Sequence, residues 1–243
     1  IGGGHLELQA IGQAREALGR VSAGASAPWT QSVALGPSLG QCCGGALSLR
    51  FTLLAQVDVT AWPLPPSRFH LQLHGAGHVG RAIVRLLADL PCTVTWVDER
   101  EGEFPSGPLP AHVERRCTDA PEAEVASAPA GSFFLVLTHR HDLDLRITEV
   151  ILQRPDFGFF GLIGSRTKAM RFRHRLEARG LPQAVIDRMT CPIGLPGLTG
   201  KAPEVIAVSV VAQLLLASST EAVQSSARTT EGVANSRPTT ARA

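Results

Sequence analysis

The chain has 243 residues, of which 44% are hydrophobic and 18% charged, and its formal net charge is +2. This length and apolar fraction suffice for a packed core in a two-domain protein, whereas so small a net charge gives no ground for nucleic-acid binding. No apolar run reaches the roughly 18 residues that span a bilayer, so no membrane contact is expected. The five cysteines lack CxxC spacing, which disfavours zinc sites and disulfide frameworks and favours a reducing cytoplasm.

Residues 1–61 are expected to form a small α+β domain. Apolar residues at helical spacing predict a helix over residues 5–18, and a segment rich in β-forming residues predicts a strand over residues 46–59. Because the chain opens on Ile1 and a glycine run, we expect this domain to be incomplete, with a segment missing upstream. Residues 62–68 are rich in proline, which predicts a stiff linker.

The most informative stretch is Leu71–Asp98, where an apolar strand, a glycine-rich turn, an amphipathic helix, a second apolar strand and an acid follow one another. A dinucleotide-binding βαβ unit requires this order. The N–H groups of the turn and the start of the helix suit a pyrophosphate, and Asp98 is placed to accept hydrogen bonds from ribose hydroxyls. The residues expected around the phosphate are Gly75, Gly77, His78, Val79 and Gly80.

Strands and helices alternate through residues 69–217, which predicts an α/β domain with a Rossmann-like parallel sheet and helices on both faces. Further strand-like runs lie at residues 112–116, 133–137 and 158–163, and helices are predicted over residues 142–153, 165–179 and 203–217. Asp142 is expected to cap the first of these helices. Residues 218–243 contain little that could be buried, which predicts a disordered tail.

Ligands of open parallel sheets bind outside the carboxyl ends of the strands, where the polar motifs of this chain converge. Gly164, Ser165 and Arg166 open a basic helix, which Ser165 would cap while Arg166 and Lys168 face the crevice. This motif fits either an anion site or an ordinary helix cap with solvated charges.

Two histidines, His139 and His141, follow the strand at residues 133–137, and His78 is expected nearby. Such imidazoles hold an oxyanion or move a proton near neutral pH, and the alternative is that they are plain loop histidines. Their spacing matches no standard zinc motif.

Two adjacent thiols, Cys42 and Cys43, precede Gly44 and Gly45. A thiolate binds soft metals and transfers sulfur, which makes this motif a candidate site. The alternative is a pair of small buried residues at a tight turn.

Together these residues resemble the xanthine dehydrogenase accessory protein family, XdhC/CoxI, on its XdhC branch. The resemblance is carried by residues 1–7 (IGGGHLE), 35–51 (including QCCGG), 73–91 (including GAGHVG), 94–100, 137–145, 161–176 (including GSR) and 190–210. It implies a cytoplasmic maturation factor, rather than an enzyme, that binds the molybdenum cofactor (molybdopterin), protects it, supports its sulfuration and inserts it into the molybdenum subunit of xanthine dehydrogenase. A cysteine desulfurase is the implied sulfur donor.

The resemblance also implies that Cys42 or Cys43 contacts the cofactor or its molybdenum, while the glycine-rich loop and the Gly164–Arg166 site hold phosphate. The implied cofactor contacts are Cys42, Cys43, Gly44, Gly45, Gly75, Gly77, His78, Val79, Gly80, Asp98, His139, His141, Gly164, Ser165 and Arg166. Two alternatives stay open, an NAD(P)-dependent oxidoreductase with His139 or His141 as proton donor, and a nucleotide-sensing module. The residues leave open whether NAD(P) or the pterin fills the glycine-rich loop, and whether the chain forms a homodimer.

Overall fold

The computed structural model describes residues 4–21, 28–35, 45–58 and 66–234. The chain divides into two compact units, residues 1–64 and 65–243. The division falls inside the proline-rich segment expected to be a linker. Each unit has its own secondary structure and is described in turn.

The first unit consists of helix α1 (Gly4–Val21) and two strands, β1 (Trp29–Leu35) and β2 (Gly45–Phe51). The strands pair antiparallel along their whole length, and the rings of Trp29 and Phe51 stack with centroids 4.1 Å apart. The strand predicted over residues 46–59 is therefore too long. Its ladder ends at Phe51, opposite Trp29, because β1 supplies no further partners, and a 3₁₀ helix (Leu54–Gln56) follows.

The second unit alternates strands and helices. In chain order these are β3 (His70–His74), α2 (His78–Leu87), β4 (Thr93–Asp98), β5 (Val113–Cys117), β6 (Phe133–Val136), α3 (His141–Gln153), β7 (Phe159–Leu162), α4 (Arg166–Ala178), α5 (Gln183–Ile186), β8 (Met189–Thr190) and α6 (Pro203–Ala234). Short 3₁₀ helices lie at Glu101–Glu103 and Ala123–Ser127. The elements α5 and β8 have only four and two residues, which is too short for a hydrophobic period to reveal them.

The six strands form one parallel sheet in the order β5-β4-β3-β6-β7-β8. This order is the one found in dinucleotide-binding Rossmann domains, so the predicted Rossmann-like parallel sheet is confirmed. The chain proceeds from β3 toward one edge and then crosses to β6 on the other side of β3. A crevice is therefore expected outside the carboxyl ends of β3 and β6.

Alternate side chains of the central strands enter two apolar layers. Leu71, Leu73, Phe133 and Leu135 pack with α2 and α6 on one face of the sheet. Phe134 and Val136 pack with α3 and α4 on the other face. Burying a side chain of this size contributes about 1.5–3 kcal/mol, so the two layers fix the sheet that carries the crevice.

Two details of the helices differ from expectation. Helix α3 begins at His141, so Asp142 lies in its first turn instead of capping it, and its carboxylate pairs with Arg140 at 2.5 Å. Helix α6 runs to Ala234 and includes residues predicted to belong to a disordered tail, because a helix already packed on the sheet extends without a new nucleation cost.

None of the helices within the described ranges is long and apolar enough to cross a membrane.

Candidate functional site

The glycine-rich loop connects β3 to α2, and its three glycines meet different surroundings. A Cβ on Gly75, whose φ is +126°, would lie 2.4 Å from the carbonyl oxygen of Leu137, and a Cβ on Gly80 would lie 2.1 Å from that of Gly75. A Cβ on Gly77 would meet no atom of the chain within 4 Å. Gly75 and Gly80 are thus required by packing, whereas Gly77 leaves room for a ligand to approach the backbone.

Helix α2 begins directly after this loop with no side chain capping it, since Gly77 is its N-cap residue. No acidic residue lies in its first turn. The N–H groups and the positive end of the helix dipole therefore point toward the open side of Gly77, an arrangement that binds anions.

The Asp98 carboxylate is bound by donors of the chain itself. It accepts hydrogen bonds from the Ala76 amide at 2.6 Å, the Arg100 amide at 2.9 Å, and Nε and Nη2 of Arg100 at 3.0 and 3.1 Å. A carboxylate has about four lone-pair sites, and these four donors use them all. Asp98 therefore holds the glycine-rich loop in place and has no acceptor left for the ribose hydroxyls that its position predicted.

The same contacts set the charge of the Asp98 side chain. Burial alone would raise the pKa of Asp98, but the hydrogen bonds from Arg100 and Ala76 and the charge of Arg100 outweigh it and lower that pKa. Arg100 also pairs with Glu103 at 3.1 Å, and Arg81 of α2 donates to the Glu103 carbonyl at 2.8 Å. The end of β4 is thus tied to α2 through a network of paired charges.

A buried polar pair lies at the end of β3, beneath the loop. His74 is fully buried, and its Nε2 lies 3.1 Å from Oε1 of Gln72, whose Nε2 donates to the Glu124 carbonyl at 2.8 Å. Because that donation turns Oε1 toward the imidazole, Nε2 of His74 must carry the proton, and its buried Nδ1 has no hydrogen-bond partner. Burial lowers the pKa of His74 to about 3, so the ring is neutral at physiological pH.

A second buried network joins the ends of β6 and β7. Asp144, which is fully buried, accepts hydrogen bonds from the amide and hydroxyl of Thr138 at 3.0 and 2.7 Å and from Nζ of Lys168 at 2.5 Å. Lys168 also donates to the Ile163 carbonyl at 2.8 Å. The expectation that Lys168 faces the crevice is therefore wrong, because its charge is turned inward and neutralised by Asp144.

The three predicted histidines occupy separate positions, and all three are exposed. His78 begins α2, His141 begins α3, and His139 lies in the loop after β6. Nε2 of His139 lies 3.4 Å from Oε1 of Glu99, which also lies 3.5 Å from Nη1 of Arg140. Since β3 lies between β4 and β6, this contact links the loops on either side of the glycine-rich loop.

The Gly164–Arg166 segment opens α4 as the sequence predicted. The Ser165 hydroxyl accepts a hydrogen bond from the Lys168 amide at 3.2 Å, which confirms the predicted cap. A Cβ on Gly164 would lie 2.6 Å from Cδ of Lys168, so this glycine admits the inward-turned lysine. Arg166 is exposed.

The thiol motif falls largely outside the described residues, which exclude Cys42, Cys43 and Gly44. Gly45 begins β2 with φ +128° and pairs with Leu35.

A cavity of about 840 Å³ in this unit lies between α1 and the hairpin, with Trp29 and Phe51 among its lining residues. Within residues 4–21, 28–35, 45–58 and 66–234, no group of three or more His, Cys, Asp or Glu side chains is placed to hold a metal.

The structure thus brings the glycine-rich loop, Asp98 and His139 to one edge of the sheet, with His141 and Ser165 on the side of β6 and β7. Sequence reasoning missed the parts that hold this edge together, Asp144 and the Gln72–His74 pair. An available signal was the polar alternation of His70, Gln72 and His74 in a central strand, since strands covered on both faces are normally apolar throughout.

Comparison with known proteins assigns the family. Residues 71–214 match the XdhC Rossmann domain family, which is more than half of the chain. The chain belongs to the XdhC family. The glycine-rich loop, Asp98, His139, His141 and Ser165 all lie within the XdhC match, whereas the Cys42–Gly45 motif precedes it.

Two similar proteins extend the comparison. The uncharacterized protein YqeB of Escherichia coli (strain K12) is 28% identical over 229 residues, which cover 88% of this XdhC chain and 37% of YqeB. The chain therefore spans little more than a third of that relative. A solved structure described as a xanthine dehydrogenase from Bacillus halodurans has a TM-score of 0.55 at 21% identity, covering 74% of this chain and 49% of that one. At this identity, the likeness supports the fold.

Proposed function

We propose that this chain is part of an accessory protein that holds the molybdenum cofactor during the maturation of xanthine dehydrogenase. Membership of the XdhC family supports an accessory role. The proposed steps are protection of the cofactor, support of its sulfuration with a cysteine desulfurase as sulfur donor, and insertion into the molybdenum subunit of xanthine dehydrogenase. The proposed setting is the cytoplasm.

The observation that carries the proposal is the combination of an open Gly77 with a saturated Asp98. The backbone at Gly77 and the uncapped start of α2 suit a phosphate group. The four donors on Asp98 leave no acceptor for a ribose diol. A phosphorylated pterin needs a phosphate site but no carboxylate acceptor for a ribose, whereas NAD needs both.

The residues of the chain fit the phosphate end of molybdopterin. The amides of His78, Val79 and Gly80 would hold the phosphate, and Cys42 or Cys43 is proposed to contact the cofactor or its molybdenum. The cofactor supplies the redox chemistry of the client enzyme. The part of this chain is to bind the cofactor, orient it and exclude water and oxygen until transfer.

An NAD(P)-dependent oxidoreductase or a nucleotide-sensing module is the second candidate. It is favoured by the strand order and by the GxGxxG spacing of Gly75, Gly77 and Gly80. It requires Arg100 to leave the Asp98 carboxylate when the nucleotide binds. Nucleotide binding without cofactor binding would distinguish it from the carrier proposal.

The test is anaerobic binding of purified molybdenum cofactor to the full chain, compared with binding of NAD and NADP. Variants Cys42→Ala, Cys43→Ala and Gly77→Ala probe the proposed contacts. Cys117→Ala is the matched thiol control, because Cys117 is an exposed cysteine at the end of β5.

We expect the cofactor to bind and NAD to bind weakly. Binding should weaken in Gly77→Ala and in one of the Cys42 and Cys43 variants, and it should be unchanged in Cys117→Ala. Absence of cofactor binding together with tight NAD binding would overturn the proposal and favour the second candidate.

A further inference from the structure

A small cavity lies between the first turn of α3 and the side of α4. Its volume is about 190 Å³, and His141, Thr167, Arg171, Phe172 and Arg175 are among its lining residues. No acidic side chain lines it, and none of its lining residues belongs to the glycine-rich loop. The cavity is therefore separate from the glycine-rich loop, although two of its lining residues, His141 and Ser165, are among the cofactor contacts that the family resemblance implies.

The two arginines of this cavity have no counterion among the described residues, unlike two other arginines of the same region. Arg173 and Arg179 of the α4 region pair with Asp187 and Glu149. Arg171 and Arg175 form no ion pair with any acidic side chain in the described ranges. Arg171 and Arg175 thus line the cavity without a counterion from the described part of the chain.

The spacing of these two exposed arginines places like charges next to each other. Residues four apart are neighbours on a helix surface, and like charges at that spacing repel each other. Lys168, the remaining cation of the lining, is already neutralised by Asp144 at 2.5 Å. An anion between Arg171 and Arg175 would relieve the repulsion and receive their charge-assisted hydrogen bonds.

The other lining groups suit a compact oxyanion. The Thr167 hydroxyl is a donor in the first turn of α4, where the helix dipole also favours negative charge. The buried ring of Phe172 lies beneath the Lys168 ammonium, 5.3 Å from its centroid, and limits the depth of the cavity. Planar guanidinium groups at Arg171 and Arg175 match phosphate oxygens in pairs.

We propose that this cavity binds a phosphate group, either as free phosphate or as the end of a phosphomonoester, through Arg171, Arg175 and Thr167. The site adjoins the Gly164–Arg166 segment that the sequence singled out, since Ser165 also lines the cavity. It adds a second anion site to the chain and does not depend on the identity of the ligand at the glycine-rich loop.

The test is titration of the full chain with inorganic phosphate and with ribose 5-phosphate at constant ionic strength. Binding is monitored by calorimetry and by the NMR chemical shifts of the backbone amides. The variants are Arg171→Gln, Arg175→Gln and Thr167→Val. Arg173→Gln is the matched control, since it removes the same charge from the same helix outside the cavity. Thermal unfolding of every variant checks that the fold is retained.

We expect saturable binding with shifts centred on residues 165–175, weakened about tenfold or more by Arg171→Gln or Arg175→Gln, as for loss of a charge-assisted hydrogen bond. Arg173→Gln should bind as the parent chain does. Tighter binding of ribose 5-phosphate would assign the ligand as a phosphomonoester, and tighter binding of inorganic phosphate would assign free phosphate. No binding at millimolar concentration, or equal weakening in Arg173→Gln, would overturn the proposal.

Discussion

Lys168 and Asp144 form a buried ion pair that joins α4 to α3, with Nζ and Oδ2 2.5 Å apart. Their side chains are 10% and 0% exposed, so neither charge is compensated by water if its partner is removed. The pair also holds the backbone of Thr138 and Ile163, the residues at which the chain leaves β6 and β7. It therefore stabilises the carboxyl edge of the sheet.

Removing one member of this pair should destabilise the fold strongly. We expect Lys168→Met or Asp144→Leu to lower the free energy of unfolding by about 3–5 kcal/mol, because each leaves an uncompensated buried charge. The measurement is urea unfolding at pH 7. In the double variant the loss should be much smaller than the sum of the two, whereas additive losses would show that the side chains do not interact.

Two glycines of the loop should respond differently to the same substitution. Gly80→Ala should cost about 1–3 kcal/mol or more, since its Cβ would lie 2.1 Å from the Gly75 carbonyl oxygen. Gly77→Ala should cost less than about 1 kcal/mol, because its φ is −66° and no chain atom lies in the way. Thermal unfolding of the pair checks this order, and equal losses would contradict it.

Stability should fall in mild acid because of His74. Its folded pKa of about 3 lies below the ordinary value of 6.5, so the unfolded chain takes up a proton that the folded chain does not. The contribution of His74 is complete above pH 6.5 and decreases by about 1.4 kcal/mol per pH unit as the pH falls toward 3.

Urea unfolding between pH 6.5 and pH 5 measures this dependence with little interference from carboxylates. His74→Leu should have a shallower pH slope than the parent chain. His174→Gln is the control, because its imidazole is 78% exposed and the variant should keep the parent slope. An unchanged slope in His74→Leu would refute the assignment.

Arg100 should act against nucleotide binding. Arg100→Ala removes two of the four hydrogen bonds that saturate Asp98, those from Nε and Nη2, and keeps the bond from the amide of residue 100. The substitution therefore frees one acceptor site on each carboxylate oxygen. We expect the affinity for NAD to rise about tenfold, as for a gained hydrogen bond to a charged group. Arg115→Ala, which removes an exposed arginine from β5, should leave NAD affinity unchanged.

Fluorescence titration of both variants with NADH makes the comparison. Tight NADH binding by the parent chain, or an equal change in Arg115→Ala, would contradict the role assigned to Arg100.

Local patterns predicted most of the second unit because its strands are short apolar runs and its turns carry glycine. Phe133–Val136 and Phe159–Leu162 are examples in which burial on both faces produces a continuous apolar signal. The same reasoning placed Ser165 as a cap, since the capping hydroxyl acts within three residues of itself.

The site was harder to predict because its decisive contacts join residues distant in sequence. Asp98 meets Ala76 across 22 residues and Lys168 meets Asp144 across 24. A sequence motif indicates that a carboxylate lies near a loop. Only the three-dimensional structure shows which donors already form hydrogen bonds with that carboxylate. The direction in which a charged side chain points also depends on residues distant in sequence. Lys168 was expected to face the crevice, but in the structure it points inward because it pairs with Asp144.

The last helix of the Rossmann unit completes the layer begun by its first helix. Ala207, Val210, Val211 and Leu214 of α6 pack in the same apolar cluster as Ala82, Ile83 and Leu87 of α2. During synthesis, α2 and the strand before it are made well over a hundred residues before their cover. The nascent sheet therefore carries an uncovered apolar face until α6 leaves the ribosome.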